Sequence, residues 1–238
     1  MRQGTARRPA KARSASSDAA IPLEKCSNTG SAADFLPQRI SLPQLRDASK
    51  TCRGCDVYCN ATQTVFGEGP SDATIMFVGE QPGDQEDLAG KPFVGPSGAM
   101  LNDALEQAHI PRDEVYVTNA VKHFKFEPRG KKRIHSKPNS REIKACRPWL
   151  EAEIQVIKPQ IIIALGATAA QSLMGSTFRL TQHRGEFIEG TPWAPFVLAT
   201  MHPSALLRMP DEEMRHKARN DFFHDMKLVA RQMSHLKK

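Results

Sequence analysis

The chain has 238 residues, 39% of them hydrophobic, and a formal net charge of +7 at neutral pH. This length is enough for one sizeable α/β domain and a tail. No apolar run approaches the roughly 20 residues that a membrane helix needs, so the composition argues against a helical membrane protein.

The N-terminal part of the chain carries much of the positive charge. Residues 1–40 hold seven Lys or Arg against three Asp or Glu. They contain few large apolar residues to offset the entropy cost of ordering, so we predict a disordered basic tail at 1–40 and a folded domain at 41–238. An organelle transit peptide has a similar composition and stays as an alternative. The segment lacks the apolar core of a secretory signal, and we expect a cytoplasmic protein.

The rest of the chain alternates between strand and helix patterns. Short apolar runs predict strands at 73–78, Glu114–Thr118, Gln160–Leu165 and Phe196–Ala199. Helical spacing predicts helices at Leu42–Ser49, Ser97–His109, Asn139–Ile157, Gly166–Met174 and Asp211–Met233, the last with Met214 on its core stripe. The alternation predicts a three-layer α/β/α domain with a central four-stranded parallel sheet.

Polar side chains follow three of these strands where each one ends. Glu80 and Gln81 follow the first strand in TIMFVGEQPG, Asn119 follows the second, and His202 follows the fourth. In open α/β sheets, ligands bind just outside the carboxyl ends of the strands. We therefore expect these side chains to face one crevice.

A basic segment lies between Lys122 and Lys137. It holds seven Lys or Arg, with Glu127 as its single acid, and is interrupted by glycine and proline. The interruptions predict a loop, which we place at 122–138 as an insert in the domain. Beside the mouth of the crevice, such a loop would contact phosphates.

Three motifs resemble the uracil-DNA glycosylase superfamily: GEQPG at 79–83, PFVG at 92–95 and HPSALLR at 202–208. The resemblance covers residues 42–235. Within the superfamily, the motifs resemble most those of the iron–sulfur family 4 and the related UdgX class. Gln81 stands where the UdgX class has glutamine. The sequence KKRIH at 131–135 is similar to the KRRIH-like motif of that class, with Lys132 in place of its first arginine. These features favour UdgX over family 4.

The resemblance implies a role for each residue of the crevice. Phe93 would stack on uracil, and the Asn119 amide would pair with uracil O4 and N3–H, a pattern that cytosine does not satisfy. His202 would donate to uracil O2 as negative charge develops there, and Glu80 would stabilise the cationic sugar or accept a proton. Gln81 would position the base or a loop.

The basic segment supplies further implied site residues. The resemblance to the UdgX class implies that the His135 imidazole attacks C1′ of the sugar and leaves a covalent protein–DNA adduct. Arg133 would bind DNA. Arg208, from the third motif, would contact a phosphate or brace its own loop.

The cysteines indicate a metal centre. Cys52 and Cys55 have metal-ligand spacing, which does not by itself separate zinc from an iron–sulfur cluster. Family 4 resemblance implies a [4Fe–4S] cluster. His123 stands where family 4 has a cysteine, although Cys59 could replace it, and Cys26 is expected to be a free thiol. The implied ligands are Cys52, Cys55, His123 and Cys146.

The leading hypothesis is an enzyme that excises uracil from DNA and becomes attached to the abasic sugar through His135. The first alternative is a turnover family 4-like glycosylase in which Glu80 orients water. The second is a non-catalytic, metal-stapled module that binds nucleic acid. The expected partner is uracil-containing DNA, with no membrane contact, and the expected state is a monomer.

Overall fold

The computed structural model describes residues 23–26, 28 and 30–236. Its strands are β1 (Ile75–Gly79), β2 (Val115–Asn119), β3 (Phe126–Arg129), β4 (Lys132–His135), β5 (Ile161–Leu165), β6 (Phe187–Glu189) and β7 (Phe196–Thr200). Its α-helices are α1 (Leu42–Ser49), α2 (Asp84–Ala89), α3 (Pro96–Gln107), α4 (Ser140–Ile157), α5 (Gly166–Met174), α6 (Leu180–His183), α7 (Pro203–Leu207) and α8 (Glu212–Leu236). None of these described helices is long and apolar enough to cross a membrane.

The central sheet contains the four parallel strands that the sequence predicts. In the described part of the chain its order is β2-β1-β5-β7-β6, and β6 pairs antiparallel with β7 at one edge. Strand β6 was missed because it has only three residues, none of them fully buried. Gly79 pairs with Asn119, so β1 and β2 end side by side.

The sheet separates two apolar layers, as expected for the predicted α/β/α architecture. Alternate residues of β1 point to opposite faces. Met76 and Val78 pack in the layer that contains Trp149 of α4, whereas Ile75 and Phe77 pack in the layer of α3 and α8. The strands are therefore buried on both faces, which explains their unbroken apolar runs.

The five predicted helices are present with small differences at their ends, whereas the short helices α2, α6 and α7 were not predicted. Helix α4 begins with a capping box, in which the side chains of Asn139 and Glu142 each accept a hydrogen bond from the other's backbone N–H. Helix α3, which is predicted to start at Ser97, begins at Pro96 with Gly95 as its N-cap. Met214 was wrongly placed in the core: it is 62% exposed, because the core contacts of α8 begin at Ala218.

The ordered domain begins earlier than residue 41. Ala32 is fully buried within a short 3-10 helix, Ala32–Phe35, which packs on α4 and is capped by Ser31. Cys26 forms a disulfide with Cys59, so the expectation of a free thiol at Cys26 is wrong. Of the predicted tail at 1–40, residues 1–22, 27 and 29 lie outside the described residues.

Candidate active site

A pocket of about 560 Å³ opens at the carboxyl ends of the parallel strands. Side chains that follow different strands meet in it, as the strand-end pattern predicts. Glu80 comes from the end of β1, Asn119 from β2 and His202 from the end of β7, and Phe93 lines the same pocket. Such a volume suits a ligand the size of a nucleobase with part of its sugar.

Close packing around Gly79 shapes the floor of the pocket. A Cβ atom at Gly79 would overlap Oδ1 of Asn119 and lie 3.0 Å from Cζ of Phe93. Glycine therefore lets the Asn119 amide and the Phe93 ring approach the strand. Phe93 has a φ of 55°, a left-handed backbone conformation that costs a non-glycine residue about 1–3 kcal/mol. The ring of Phe93 lines the pocket in this conformation.

His202 is fixed as a neutral hydrogen-bond donor. It is the N-cap of α7, and its Nδ1 accepts the backbone N–H of Ser204 at 3.1 Å. Burial lowers the pKa of His202 to about 4, with Glu80 opposing this shift and Arg208 adding to it. Because Nδ1 accepts, the neutral ring carries its proton on Nε2. The His202 ring stacks on Phe93 with centroids 6.3 Å apart.

Glu80 lies between two hydrogen-bond donors. The Thr168 hydroxyl donates to its Oε2, and Nε2 of His135 lies 3.2 Å from its Oε1. Burial by itself would raise the pKa of Glu80. The hydrogen bonds from His135 and Thr168 and the nearby His135 and His202 rings outweigh burial, so this pKa lies below its usual value. Glu80 is therefore a carboxylate at neutral pH.

The basic segment is a β-hairpin rather than the predicted loop. Strands β3 and β4 pair antiparallel, with Phe126 opposite His135, and Gly130 turns the chain at a φ of 59°. The hairpin directs His135 to the pocket, where its ring lies 6.3 Å from that of Phe124. The sequence does not show a strand pattern here, because apolar and charged side chains are mixed on both faces of the hairpin.

Arg133, which is predicted to bind DNA, makes ion pairs within the protein. Its Nε donates to Oδ1 of Asp84 at 2.6 Å, and its Nη1 donates to Oδ2 of Asp87 at 2.6 Å. The guanidinium also lies over the rings of Phe124 and Phe126. Arg133 therefore clamps β4 to helix α2 and holds His135 over the pocket.

Gln81 ties together the two ends of the hairpin. Its Nε2 donates to the backbone carbonyls of Lys125 and Ser136 at 3.0 and 3.1 Å, and its Oε1 accepts the backbone N–H of Lys125 at 3.2 Å. Of the two roles left open for Gln81, these contacts support positioning of a loop. Arg208 likewise braces its own segment, because its Nη2 donates to the Ser204 hydroxyl at 3.1 Å.

The predicted phosphate-contacting segment divides into inward and outward cations. Lys122 is fully buried: its Nζ donates to Glu153 at 2.6 Å and to the backbone carbonyl of Asn119 at 2.7 Å. Lys125 pairs with Glu142 at 2.9 Å. These two are therefore not available to a phosphate. The exposed cations of the segment are Arg129, Lys131, Lys132 and Lys137.

The described part of the chain holds three buried free thiols. Cys52, Cys55 and Cys146 are unpaired with each other and near enough to interact electrostatically. Burial raises the pKa of Cys55 to about 11 and also raises that of Cys146. Trp149 Nε1 donates to the Cys52 sulfur and the Lys122 backbone N–H to the Cys146 sulfur, both at 3.2 Å. Such N–H donors suit thiolates of a metal centre.

The fourth implied metal ligand is His123, with Cys59 as its alternative. The His123 ring is hydrogen-bonded to the Thr64 hydroxyl at 2.9 Å, and burial lowers its pKa to about 4, with Asp87 opposing this shift. A neutral imidazole is the form that ligates metals. Cys59, the alternative to His123, is joined to Cys26 and offers no free thiol in this structure.

Sequence reasoning missed Thr168, Asp84 and Asp87. Thr168 lies within the first turn of α5, three residues past the end of β5, so the search for polar residues directly at strand ends did not reach it. Asp84 and Asp87 lie in the first turn of α2, where acidic residues are common for helix-dipole reasons alone. Their pairing with Arg133 spans more than 40 residues and left no local signal.

Comparison with known proteins finds similarity to uracil-DNA glycosylases both in the family model and in the individual relatives. The family model "Uracil DNA glycosylase superfamily" matches residues 66–227, from before β1 to within α8. A Type-4 uracil-DNA glycosylase of Thermotoga maritima is 40% identical over 169 residues, covering 70% of this chain and 83% of that protein. A Type-4 enzyme of Pyrobaculum aerophilum is 35% identical over 178 residues, covering 72% and 87%. A Type-5 uracil-DNA glycosylase of Thermus thermophilus is 30% identical over 159 residues, covering 59% and 68%.

Proposed function

The chain belongs to the uracil-DNA glycosylase superfamily, and from this premise we propose that it excises uracil from DNA. The observation that carries the proposal is the convergence of Glu80, Phe93, Asn119 and His202 on one pocket. A carboxylate, an aromatic face, an amide and a neutral imidazole are the groups that cleavage of a uracil glycosidic bond requires. The Type-4 names of its relatives support the same activity.

Recognition of the base would fall to Asn119 and Phe93. The target nucleotide must leave the duplex stack before its atoms can be read in a pocket. Phe93 offers a face for stacking, and the Asn119 amide supplies both a donor and an acceptor for uracil O4 and N3–H. Lys122 Nζ donates a hydrogen bond to the backbone carbonyl of Asn119, which helps to fix the position of the side-chain amide.

Bond cleavage would be driven by charges on both sides of the glycosidic bond. As the C1′–N1 bond breaks, uracil keeps the electron pair and the sugar becomes cationic. Nε2–H of His202 would donate to uracil O2, where negative charge develops. The Glu80 carboxylate would stabilise the sugar cation. Both groups are already in the required protonation state at neutral pH.

In the turnover reaction, water would take the place of uracil. Water adds to C1′, its proton passes to Glu80, and that proton finally reaches N1 of the uracil anion. Free abasic DNA and free uracil are the products. The similarity to Type-4 enzymes supports this outcome.

A second candidate outcome is covalent attachment through His135. The specific observation that favours it is the 3.2 Å distance between His135 Nε2 and Glu80 Oε1 at the pocket. Glu80 would accept the Nε2 proton, and the exposed lone pair would form a bond to C1′ as C1′–N1 breaks. The proton again ends on uracil N1. The product, a neutral N-alkylated imidazole, has no strong tendency to leave.

The proposal includes a [4Fe–4S] cluster held by Cys52, Cys55 and Cys146, with His123 as the fourth ligand. The buried thiols and the two N–H donors directed at their sulfurs support this assignment. A bound cluster would supply thiolate cross-links between the N-terminal segment and α4, which is a structural role. The exposed cations of the hairpin would contact the DNA backbone, and the protein would act as a monomer in the cytoplasm.

The proposed activity is tested by measuring free uracil released from a uracil-containing oligonucleotide. We expect release by the wild type, loss of release in Asn119→Ala, and no release of base from an otherwise identical cytosine oligonucleotide. Asn102, a matched exposed asparagine on α3 outside the pocket, provides the control Asn102→Ala, which should release uracil normally. Equal release by Asn119→Ala and Asn102→Ala would remove Asn119 from recognition.

A further inference from the structure

Thr168 touches Glu80, the carboxylate of the pocket that lies beside His135. It is 4% exposed and belongs to the first turn of α5, which starts directly at the end of β5. Its hydroxyl donates to Oε2 of Glu80. The other carboxylate oxygen, Oε1, faces His135. The three side chains form a series from Thr168 through Glu80 to His135.

The backbone before Thr168 explains how a helix residue reaches Glu80. Gly166 has a φ of 88°, a conformation that favours glycine, and a Cβ there would lie 3.1 Å from Cβ of His202. This glycine therefore lets α5 begin close to His202, and the first turn of α5 faces the pocket. A threonine in a helix usually bonds back to a carbonyl one turn earlier, but the Thr168 hydroxyl is used on Glu80 instead.

We propose that Thr168 is a positioning residue for the reaction: its hydroxyl fixes the plane of the Glu80 carboxylate so that Oε1 faces His135 and the sugar. The role rests on the proposed function, because it acts through Glu80. A carboxylate with a single donor can rotate about its last side-chain bond. One with a donor at each oxygen is held in a single orientation, which electrostatic stabilisation of a transition state requires.

A consequence concerns the acid side of the pH profile. The groups that face Glu80 are Thr168 from α5, His135 from β4 and His202 from the start of α7. The hydroxyl stabilises the charged form of Glu80, so its removal raises the pKa of that carboxyl. Excision that needs the carboxylate should then fail at a higher pH than in the wild type.

The matched control lies on the same helix. Ser172 is a buried hydroxyl one turn beyond Thr168, and it donates at 2.7 Å to the backbone carbonyl of Ala169, away from Glu80. Ser172→Ala therefore removes a buried helix hydroxyl without touching the carboxylate. Thr168→Val keeps the shape of the side chain and removes the donor, and Thr168→Ser keeps the donor.

The experiment measures single-turnover uracil excision against pH in the full-length protein. We expect Thr168→Val to slow excision at neutral pH by about tenfold, on the scale of a lost hydrogen bond to a charged group, and to shift the acid limb to higher pH. The acid limb of the pH–rate profile in Thr168→Ser and Ser172→Ala should lie at the same pH as in the wild type. If Thr168→Val does not fold, Thr168→Ala is measured in its place with the same expectation.

Two outcomes overturn the positioning role. One is a Thr168→Val profile that coincides with that of Ser172→Ala. The other is a uniform loss of rate in Thr168→Val with an unshifted acid limb, which would indicate a purely structural role. Failure of the proposed function looks different, because the wild type itself would then release no uracil at any pH. An NMR titration of the Glu80 carboxyl, which needs no DNA, should show the higher pKa in Thr168→Val.

Discussion

The Arg133 guanidinium donates at 2.6 Å to the carboxylate of Asp87, whose side chain is fully buried. This contact joins the hairpin β3-β4 to helix α2. It also holds β4 in the register that brings His135 to Glu80. The position of the imidazole over the pocket therefore depends on an ion pair that lies outside the pocket floor.

The clamp makes Arg133 important for stability. Arg133→Met should lower the free energy of unfolding by about 3–5 kcal/mol, because it leaves the buried Asp87 carboxylate without its partner. The exposed hairpin residue Arg129 provides the control, and Arg129→Met should change the unfolding free energy by about 0.5 kcal/mol or less. Urea denaturation measures both. An Arg133→Met variant as stable as Arg129→Met would show that the clamp contributes nothing.

The fully buried pair of Lys122 and Glu153 should behave in the same way. Lys122→Met leaves Glu153 charged in the interior and should cost about 3–5 kcal/mol of unfolding free energy. Lys125→Met, which breaks the partly exposed pair with Glu142, should cost about 1 kcal/mol or less. Denaturation curves of the two variants give the comparison. Equal costs would contradict the importance assigned to burial.

His202 should make the protein less stable in mild acid. Its pKa is about 4 in the folded protein, whereas an unfolded histidine has a value near 6.5. The unfolded chain therefore binds more protons between these values, and stability falls as the pH drops from about 6.5 towards 4. His202→Gln should flatten this part of the stability profile, and replacement of the exposed His216 by Gln should not. A His202→Gln profile as steep as that of wild type would exclude His202 as a source of the slope.

If Cys52, Cys55 and Cys146 hold an iron–sulfur cluster, the purified protein should contain iron and acid-labile sulfide. Cys146→Ser should lose both and become less stable, because binding of a cluster and folding are coupled. Cys59→Ser is the matched control and should keep both, and His123→Cys should keep a cluster. Elemental analysis makes the measurement. Stoichiometric zinc without iron would contradict the cluster, and loss of iron in Cys59→Ser with retention in His123→Ala would contradict the ligand set.

The sequence predicted the pocket better than it predicted the hairpin beside it. Glu80, Asn119 and His202 were recognisable because parallel strands end at one edge, so local position in the chain determined position in space. The partners of Arg133 and Lys122 within the protein could not be predicted, because they lie far along the chain. A run of cations gives no sign of which members face inward until packing brings Asp87 and Glu153 against them.

The motifs located site residues in the sequence but did not explain why those residues are needed. Gly79 and Phe93 were identified from short motifs, yet the reason for the glycine, the close approach of Asn119, became visible only in three dimensions. The start of the ordered domain was placed too late. The small and polar residues around Ala32 resemble tail composition, although Ala32 itself is buried against α4.

The fate of the sugar after excision depends on His135. Replacing it with Ser removes the proposed nucleophile and leaves Glu80, Asn119 and His202 in place. A DNA band that is shifted and stable to heat and SDS should form with the wild type and disappear in His135→Ser, while uracil excision persists by hydrolysis. Free abasic product from the wild type would favour the turnover reaction. Loss of both adduct and excision in His135→Ser would indicate a structural role.

One denaturing gel tests the central claim that this pocket excises uracil. The wild type and Glu80→Ala are incubated with a labelled uracil oligonucleotide, and half of each sample is treated with hot alkali before loading. We expect the wild type to convert the oligonucleotide into alkali-cleaved product or a shifted covalent band. Loss of the Glu80 charge should slow this conversion on the order of 10²–10³-fold. Intact oligonucleotide in both wild-type lanes, or full conversion at an unchanged rate by Glu80→Ala, would contradict the account.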